Sequence, residues 1–214
     1  VLHAWLGGQE AGNSIADVLS GKVNPSGKLP MTWNEKLNDY GAHALGTYPG
    51  TWREKKEGVE DIIGEEYKED IYVGYRWNDL KKIKPVFAFG HGLSYTTFKI
   101  SDLRQSAKEM TQDGKLTFTV TVTNTGDREG AEVVQLYIND VKASVNRPAK
   151  ELKGFKKVYL AAGESKDVDI TIDVTALSFF DEAAHAFKAE PGDFVALVGN
   201  ASDNLPLKAK FTLK

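Results

Sequence analysis

Hydrophobic and polar residues alternate with a period of two through most of residues 98–214. In each alternating segment one face is apolar and the other carries Thr, Asp or Lys, as in a strand with one buried face. The clearest apolar faces are Leu116, Phe118, Val120 and Val122; Val134, Leu136 and Ile138; and Val168, Ile170, Ile172 and Val174. Turn-forming residues separate the segments at 124–127, 161–164 and 191–193. About seven such strands predict an immunoglobulin-like or fibronectin type III-like sandwich.

Residues 1–33 follow another pattern. A short apolar run predicted to be a strand leads through Gly7 and Gly8 into an amphipathic helix. The apolar side of this helix is formed by Ile15, Ala16, Val18 and Leu19. Gly21 follows it and fits a C-terminal cap. Because a lone strand has no partner for its backbone groups, we expect its neighbours upstream, in a larger protein of which this chain is the C-terminal end.

Residues 34–97 are polar and irregular. Eight acids and four bases lie between residues 53 and 70, and scattered glycines favour a long surface excursion. Ile71, Val73 and Tyr75 alternate with other residues and predict one strand. The segment ends in PVFAFGHGLSYTTF, where glycines flank His91. A sharp bend against a neighbouring domain is favoured there over a reactive histidine.

The composition of the chain argues against several classes of function. The chain has 214 residues and a formal net charge of -3, so no global basic field favours nucleic-acid binding. Cysteine is absent, which excludes disulfides, thiolate metal sites and a cysteine nucleophile. No apolar run is long enough to span a membrane. The partners expected are therefore neither nucleic acid nor membrane.

Candidate chemistry is sparse. The four histidines lack metal-ligand spacing, so no metal site and no cofactor are predicted. Glycosidases need only two carboxylates. The 30 acidic residues of the chain therefore do not distinguish a glycosidase from a protein with an ordinary charged surface. Aromatic residues crowd into 33–77, and flat rings there either stack on sugars or pack domains together. For Tyr48 and Trp52 both alternatives remain open, and these two are the candidate substrate-binding residues.

Six segments of the chain, in order, resemble glycoside hydrolase family three, the β-glucosidase and β-xylosidase family. GGQEAGNSIADVLSGKVNPSGKLPMTW resembles the end of the second domain of these enzymes, and YKEDIYVGYRW and PVFAFGHGLSYTTF resemble the next two landmarks. NTGDREGAEVVQLYIND, RPAKELKGFKKVYLAAGES and EPGDFVALVGNASDN resemble the C-terminal fibronectin type III-like domain. The resemblance covers nearly the whole chain, and 34–66 is its least constrained part.

The resemblance implies an architecture and a reaction. Such enzymes have a (β/α)8 barrel, an α/β sandwich domain and a fibronectin type III-like domain, and they hydrolyse terminal non-reducing β-linked sugars with retention. Residues 1–97 would be the remnant of the α/β sandwich domain plus a linker, and 98–214 the fibronectin type III-like domain. The nucleophile Asp and the acid/base Glu of the family lie upstream of GGQEAGN. Accordingly, this chain is expected to contain neither catalytic residue. Glu10 lies within the GGQEAGN motif and is not expected to be the acid/base residue.

Three alternatives follow. The chain is part of a retaining β-glycosidase and inactive alone, or a non-catalytic carbohydrate- or protein-binding module, or one product of a nicked enzyme. The first implies the barrel and the rest of the α/β sandwich domain as partners, with an oligosaccharide or β-glucoside as the substrate of the full enzyme. The resemblance favours a secreted or periplasmic location. The length and aromatic content of the 34–66 excursion lead to the hypothesis that it reaches the rim of the active site and shapes the subsite for the leaving sugar.

Overall fold

The computed structural model of the chain describes residues 1–52, 58 and 63–214. The α-helices of this part are α1 (Ala11–Leu19), α2 (Gly41–Ala44) and α3 (Tyr75–Lys81). Its 3-10 helices are Gly8–Glu10, Leu37–Asp39 and Val174–Ala176. Its strands are β1 (Thr51–Trp52), β2 (Ile63–Gly64), β3 (Phe98–Gln105), β4 (Glu109–Met110), β5 (Lys115–Asn124), β6 (Gly130–Asp140), β7 (Glu151–Leu160), β8 (Ser165–Asp173), β9 (Phe179–Asp181), β10 (Ala186–Lys188), β11 (Gly192–Gly199) and β12 (Leu207–Leu213).

The predicted sandwich is confirmed. One sheet has five strands in the order β4-β12-β11-β6-β7, and the other has three in the order β3-β5-β8. The period-two segments fall on β5, β6 and β8, and their apolar faces meet between the sheets. Leu116, Val122, Val134 and Leu136 have no exposed surface, so the apolar positions of the alternating pattern are those that face the core.

The outward face of the three-stranded sheet is a ladder of polar pairs. The Thr119 hydroxyl donates to Asp169 at 2.6 Å, and the Thr121 hydroxyl donates to Asp167 at 2.7 Å. Arg104 forms an ion pair with the same Asp167 at 2.7 Å. These side chains satisfy one another, as expected for a solvated face.

The helix predicted in residues 1–33 is confirmed as α1, but the strand predicted before it is not formed. Gly21 has a φ of 76° and its N–H donates to the Val18 carbonyl, so it ends the helix as predicted. Residues 1–7 have no strand structure, since a strand needs a paired neighbour and no described segment pairs with them. No residue of α1 is buried, and Leu19 is 68% exposed.

The strand predicted across residues 71–75 is wrong. Gly74 has a φ of 62°, which breaks the extended run, and α3 begins at the next residue. Ile71 and Val73 are 40% and 63% exposed, so their alternation does not mark a buried strand face. Trp77 and Asn78 on α3 are buried instead, each with 5% of its surface exposed.

Residues 21–28 cross the end of the sandwich and are held there by polar contacts. The Asn24 amide donates to the Glu129 carbonyl, and its oxygen accepts from Ser94 and from the Tyr95 N–H, each at 2.8 Å. The Lys28 ammonium lies 2.6 Å from the Glu132 carboxylate, and both side chains are nearly buried. These contacts join the two halves of the chain.

The bend predicted at the FGHG segment is present. Gly90 has a φ of 82°, and a Cβ there would collide with the Gln135 side chain, which donates to the Gly90 carbonyl at 3.3 Å. His91 packs its ring on Phe87 at 5.3 Å between centroids. The division of the chain at residue 97 stays a prediction, although β3 does begin at Phe98.

Candidate functional site

The excursion carrying the two candidate residues is built on α2 and the short antiparallel pair of β1 and β2. The Tyr48 side chain is 53% exposed, and its ring meets the His43 ring edge-on at 5.1 Å. Trp52 lies in β1 opposite Ile63, but its side chain lies outside the described residues. The Tyr48 ring is therefore accessible to a ligand, and a joint site with Trp52 stays a prediction.

A network of side-chain amides anchors this excursion to α3. The Asn78 amide donates to the Asn34 oxygen at 2.6 Å, and the Tyr40 hydroxyl accepts from the Asn34 backbone N–H at 2.9 Å. At Gly41 an added Cβ would lie 3.1 Å from Glu69 Cβ and 3.2 Å from the Trp77 ring, so a larger residue would require these neighbours to move by a few tenths of an ångström. The position of Tyr48 thus depends on a helix that the sequence pattern did not reveal.

Polar atoms without a hydrogen-bond partner gather around the same helix. Among the described residues they include Thr32 Oγ1, Trp33 Nε1, Glu69 Oε2 and Trp77 Nε1. Both Thr32 and Trp77 have less than a tenth of their surface exposed. Buried polar groups normally have partners, so these atoms are unsatisfied hydrogen-bonding groups beside the excursion. The high density of aromatic residues at 33–77 indicates this part of the chain in the sequence. It does not identify the individual polar atoms that lack partners.

A cluster of charged side chains joins α3 to the start of β7. Arg147 contacts Asp140 at 3.2 Å and Glu151 at 2.6 Å, and Arg76 contacts Glu151 at 3.2 Å. Burial alone would raise the pKa of Glu151, but the hydrogen bond from Arg147 and the nearby positive charges lower it below its ordinary value of 4.5. Each carboxylate here faces a guanidinium, so this cluster stabilises structure and offers no free acid or base.

The remaining candidate chemistry is weak. Glu10 accepts a hydrogen bond from Asn13 on the exposed first turn of α1, which is a local helix-start contact. No group of three metal-ligating side chains occurs among residues 1–52, 58 and 63–214. Within the same described residues, no helix has the length and apolarity needed to cross a membrane.

Comparisons with known protein families decide the identity. The family model for the glycosyl hydrolase family 3 C-terminal domain matches residues 1–95, and the model for the fibronectin type III-like domain matches residues 132–202. The chain belongs to glycosyl hydrolase family 3. The resemblance of the ordered motifs to this family is thereby confirmed.

Family 3 relatives are similar along nearly the whole chain. A β-glucosidase of Bacteroides ovatus is 47% identical over 207 residues, covering 96% of this chain and 26% of that protein. The thermostable β-glucosidase B of Acetivibrio thermocellus is 44% identical over 208 residues, covering 97% of this chain and 26% of that protein. The chain therefore spans about a quarter of the length of these family 3 relatives.

A solved family 3 structure shows the same arrangement of elements. The β-glucosidase of Bifidobacterium adolescentis superposes with a TM-score of 0.86 at 37% identity, over 99% of this chain and 29% of that protein. Both halves of the chain are included in that coverage, so the fold described above is the fold of the corresponding part of a family 3 protein.

Proposed function

We propose that this chain is the C-terminal part of a retaining β-glycosidase of the β-glucosidase type, which hydrolyses terminal non-reducing β-linked sugars. The observation that supports this most is 47% identity, over 96% of the chain, to a protein named β-glucosidase. Since the chain spans only 26% of that relative, the activity belongs to a longer polypeptide.

The proposed role of this chain in the reaction is support. In retaining hydrolysis a carboxylate attacks the anomeric carbon while a second carboxyl group protonates the leaving oxygen, and that group then activates water. The family resemblance places both groups upstream of GGQEAGN. The contacts of Asn24 and Lys28 hold residues 21–28 against the sandwich. Through this segment the sandwich would help to hold the preceding domain and its acid/base residue in place.

The assay of this proposal uses aryl β-glucoside and aryl β-xyloside substrates. The purified chain, with its intact mass confirmed at 23.5 kDa, is expected to show no turnover. Adding the barrel and the rest of the α/β sandwich domain should restore hydrolysis. Turnover by the chain alone would contradict the supporting role and would place a complete site within these residues.

We further propose that Tyr48 and Trp52 lie at the rim of the active site of the intact enzyme and contact the leaving sugar. The supporting observation is the exposure of Tyr48 at the tip of an excursion that α3 holds in place. In the intact enzyme, Tyr48→Ala and Trp52→Ala should each change the ratio of kcat/KM for cellotriose to that for an aryl glucoside. An equally exposed aromatic residue elsewhere, Phe180, provides the control substitution Phe180→Ala. Unchanged ratios in both rim variants would exclude the assignment.

A non-catalytic binding function remains the second candidate. The outward face of the three-stranded sheet does not favour it, because its Thr and Asp side chains bond to one another. Two exposed rings on the five-stranded sheet, Phe155 and Tyr159, do present apolar surface to a partner. Retention of the chain on insoluble cellulose or on a soluble β-glucan gel would support this alternative.

A further inference from the structure

A cavity of about 250 Å³ lies where the crossing segment, residues 21–28, meets the end of the sandwich. Its lining combines parts of the chain that lie far apart in sequence. Ser26 and Lys28 belong to the crossing segment, Leu93 and Phe98 follow the FGHG bend, and Glu132 lies on β6. The volume is just below the range of about 300–1,000 Å³ that holds drug-sized ligands, so the cavity has room for one small molecule and not for a polymer.

Contacts within the chain hold the walls of this cavity in place. Gly92 packs so closely on the Gly27 carbonyl that a Cβ would have no room. The Lys28 ammonium donates to the Gly92 carbonyl at 2.9 Å, and the Ser94 hydroxyl donates to the Asn24 side chain at 2.8 Å. Because the walls are already ordered, little conformational entropy is lost when a ligand binds between them.

The charged groups of the lining neutralise each other. Lys28 Nζ lies 2.6 Å from the Glu132 carboxylate, and only 13% and 7% of these two side chains are exposed. An ion that entered this cavity would lose its hydration and would find no unpaired counter-charge. The cavity therefore favours a neutral ligand.

Three polar groups of the lining retain hydrogen-bonding capacity in the described part of the chain. An ammonium has three N–H donors, and Lys28 uses two of them, on a backbone carbonyl and on Glu132. The Glu132 carboxylate has about four acceptor positions, and it accepts from Lys28, one backbone N–H and one side-chain amide. The Ser26 hydroxyl accepts from Lys157 at 2.6 Å, which leaves its own proton to donate. Two donors and one acceptor match the hydroxyl groups of a polyol.

The lining also has an apolar side. The Leu93 side chain is 76% exposed, and Phe98 packs partly against the sandwich core. A pyranose ring has C–H groups on its face and hydroxyl groups around its edge. It can therefore lie against Leu93 and Phe98 while its hydroxyl groups reach the polar side of the cavity.

We propose that this cavity binds one neutral monosaccharide ring, of the kind that the proposed hydrolysis releases. The inference rests on the proposed function for the identity of the sugar, which is glucose, and on the cavity alone for its chemical class. Since the lining comes from both halves of the chain, a bound sugar holds the crossing segment on the sandwich. Accumulating product would thereby stabilise the contact between the halves.

A titration of the isotope-labelled chain with D-glucose, followed by two-dimensional amide NMR, tests the proposal. A ligand of about twelve non-hydrogen atoms, at the efficiency usual for small ligands, should bind with a Kd on the order of 1–10 mM. Amide signals of residues 26–28, 92–97 and 131–132 should shift and reach saturation, while those of the β9–β10 hairpin stay in place. D-glucuronate has the same ring with one carboxylate and should bind at least about threefold more weakly. Shifts that do not saturate, or equal binding of glucuronate, would overturn the proposal.

Two variants separate contacts with the sugar from effects on folding. Ser26→Ala removes a donor and should raise the Kd by about threefold to tenfold. Leu93→Ala removes part of the apolar side and should also raise it. The matched controls Ser144→Ala and Leu37→Ala lie outside the lining, with Ser144 beyond the opposite end of β6, and should leave the Kd unchanged. All four variants should keep the parental unfolding midpoint, and an unchanged Kd in both lining variants would overturn the site.

Hydrogen exchange tests the coupling of the two halves. At a glucose concentration about ten times the Kd, amides of the crossing segment should exchange about tenfold more slowly than without sugar. Unchanged exchange there would contradict the coupling. Neither measurement needs turnover, so a failure to reconstitute hydrolysis would contradict the proposed function and not this site. Restored hydrolysis together with no glucose binding by the chain would overturn the site alone.

Discussion

Glu132 is a charged residue with only 5% of its surface exposed, and its environment explains how the fold tolerates it. Its carboxylate contacts Lys28 at 2.6 Å, the Val133 N–H at 2.7 Å and the Asn200 amide at 3.1 Å. A buried carboxylate is tolerated when it is both paired and hydrogen-bonded. These bonds connect β6, the end of β11 and the crossing segment at one point.

Removing one partner of this pair should be strongly destabilising. Glu132→Ala leaves the Lys28 ammonium buried without its carboxylate, and we expect the free energy of unfolding to fall by about 3–5 kcal/mol. The exposed pair of Lys214 and Glu109, at 3.0 Å, provides the control. Glu109→Ala should cost no more than about 1 kcal/mol. Urea unfolding of both variants measures the difference, and similar losses would show that the Glu132 pair contributes little.

The lowered pKa of Glu151 predicts a dependence of stability on pH. Because the pKa is lower in the folded chain than its ordinary value of 4.5, the ionised form stabilises the fold above that value. This contribution is lost as the pH falls through the pKa of the folded state. Urea unfolding between pH 7 and pH 3 should therefore show a weaker decline in Glu151→Gln than in the parent chain.

An exposed carboxylate provides the control for that experiment. Asp113 also has a lowered pKa, caused by the hydrogen bond from the Thr111 hydroxyl, but it is fully exposed. Asp113→Asn should leave the acid decline nearly as steep as in the parent chain. If the stability of Glu151→Gln falls with pH as steeply as that of the parent chain, groups other than Glu151 cause the loss of stability in acid.

At the level of elements, the FGHG segment shows how a glycine fixes the position of a loop on a strand. Gly90 combines a positive φ with close contact to Gln135 on β6, whose amide also donates to the Asn200 carbonyl at 2.6 Å. The Tyr137 hydroxyl donates to the same Gln135 at 2.7 Å. The loop is thereby tied to the outer face of the five-stranded sheet.

Substitution of Gly90 should cost more than substitution of a glycine that shares only its backbone conformation. Gly163 has a φ of 72° and nothing within 4 Å of an added Cβ. Gly163→Ala should therefore lower stability by about 1 kcal/mol, through backbone strain alone. Gly90→Ala adds displacement of Gln135 and should cost about 1–3 kcal/mol more. Thermal and urea unfolding check this, and equal losses would mean that Gln135 moves aside freely.

At the scale of the whole molecule, the two halves differ in what they bury. The large buried cluster lies entirely between the sheets formed by residues 98–214, whereas α1 buries no residue. The first half contacts the second through Asn24, Lys28 and Gly90, which bond to Glu129, Glu132 and Gln135.

We therefore predict that residues 98–214 fold alone and that residues 1–33 are ordered only by packing on another surface. A chain of residues 98–214 should unfold cooperatively, with core amides protected as in the full chain. In the full chain, α1 should exchange faster than β5 and β6. Equal strong protection of α1 and the sandwich core would contradict this division.

Particular residues show how far the sequence alone determined this protein. Alternation at 116–122 and 168–174 fixed the inward faces of β5 and β8, because side chains point to opposite faces at every step of a strand. The ordered motifs are enough to indicate the family, and Gly21 marks the end of α1. These features depend on neighbours in the chain, so local patterns carry them.

The tertiary structure decided what depends on distant neighbours. Residues 71–75 have strand-like alternation, yet Gly74 turns the chain and α3 buries Trp77 against Gly41. The first seven residues have a strand-like composition but lack a paired strand among the described residues. The pairs of Lys28 with Glu132 and of Lys157 with Ser26 join residues more than 100 positions apart. A sequence pattern does not show which residues so far apart in the chain come into contact. Packing of residues 21–28 on the sandwich decides these pairs.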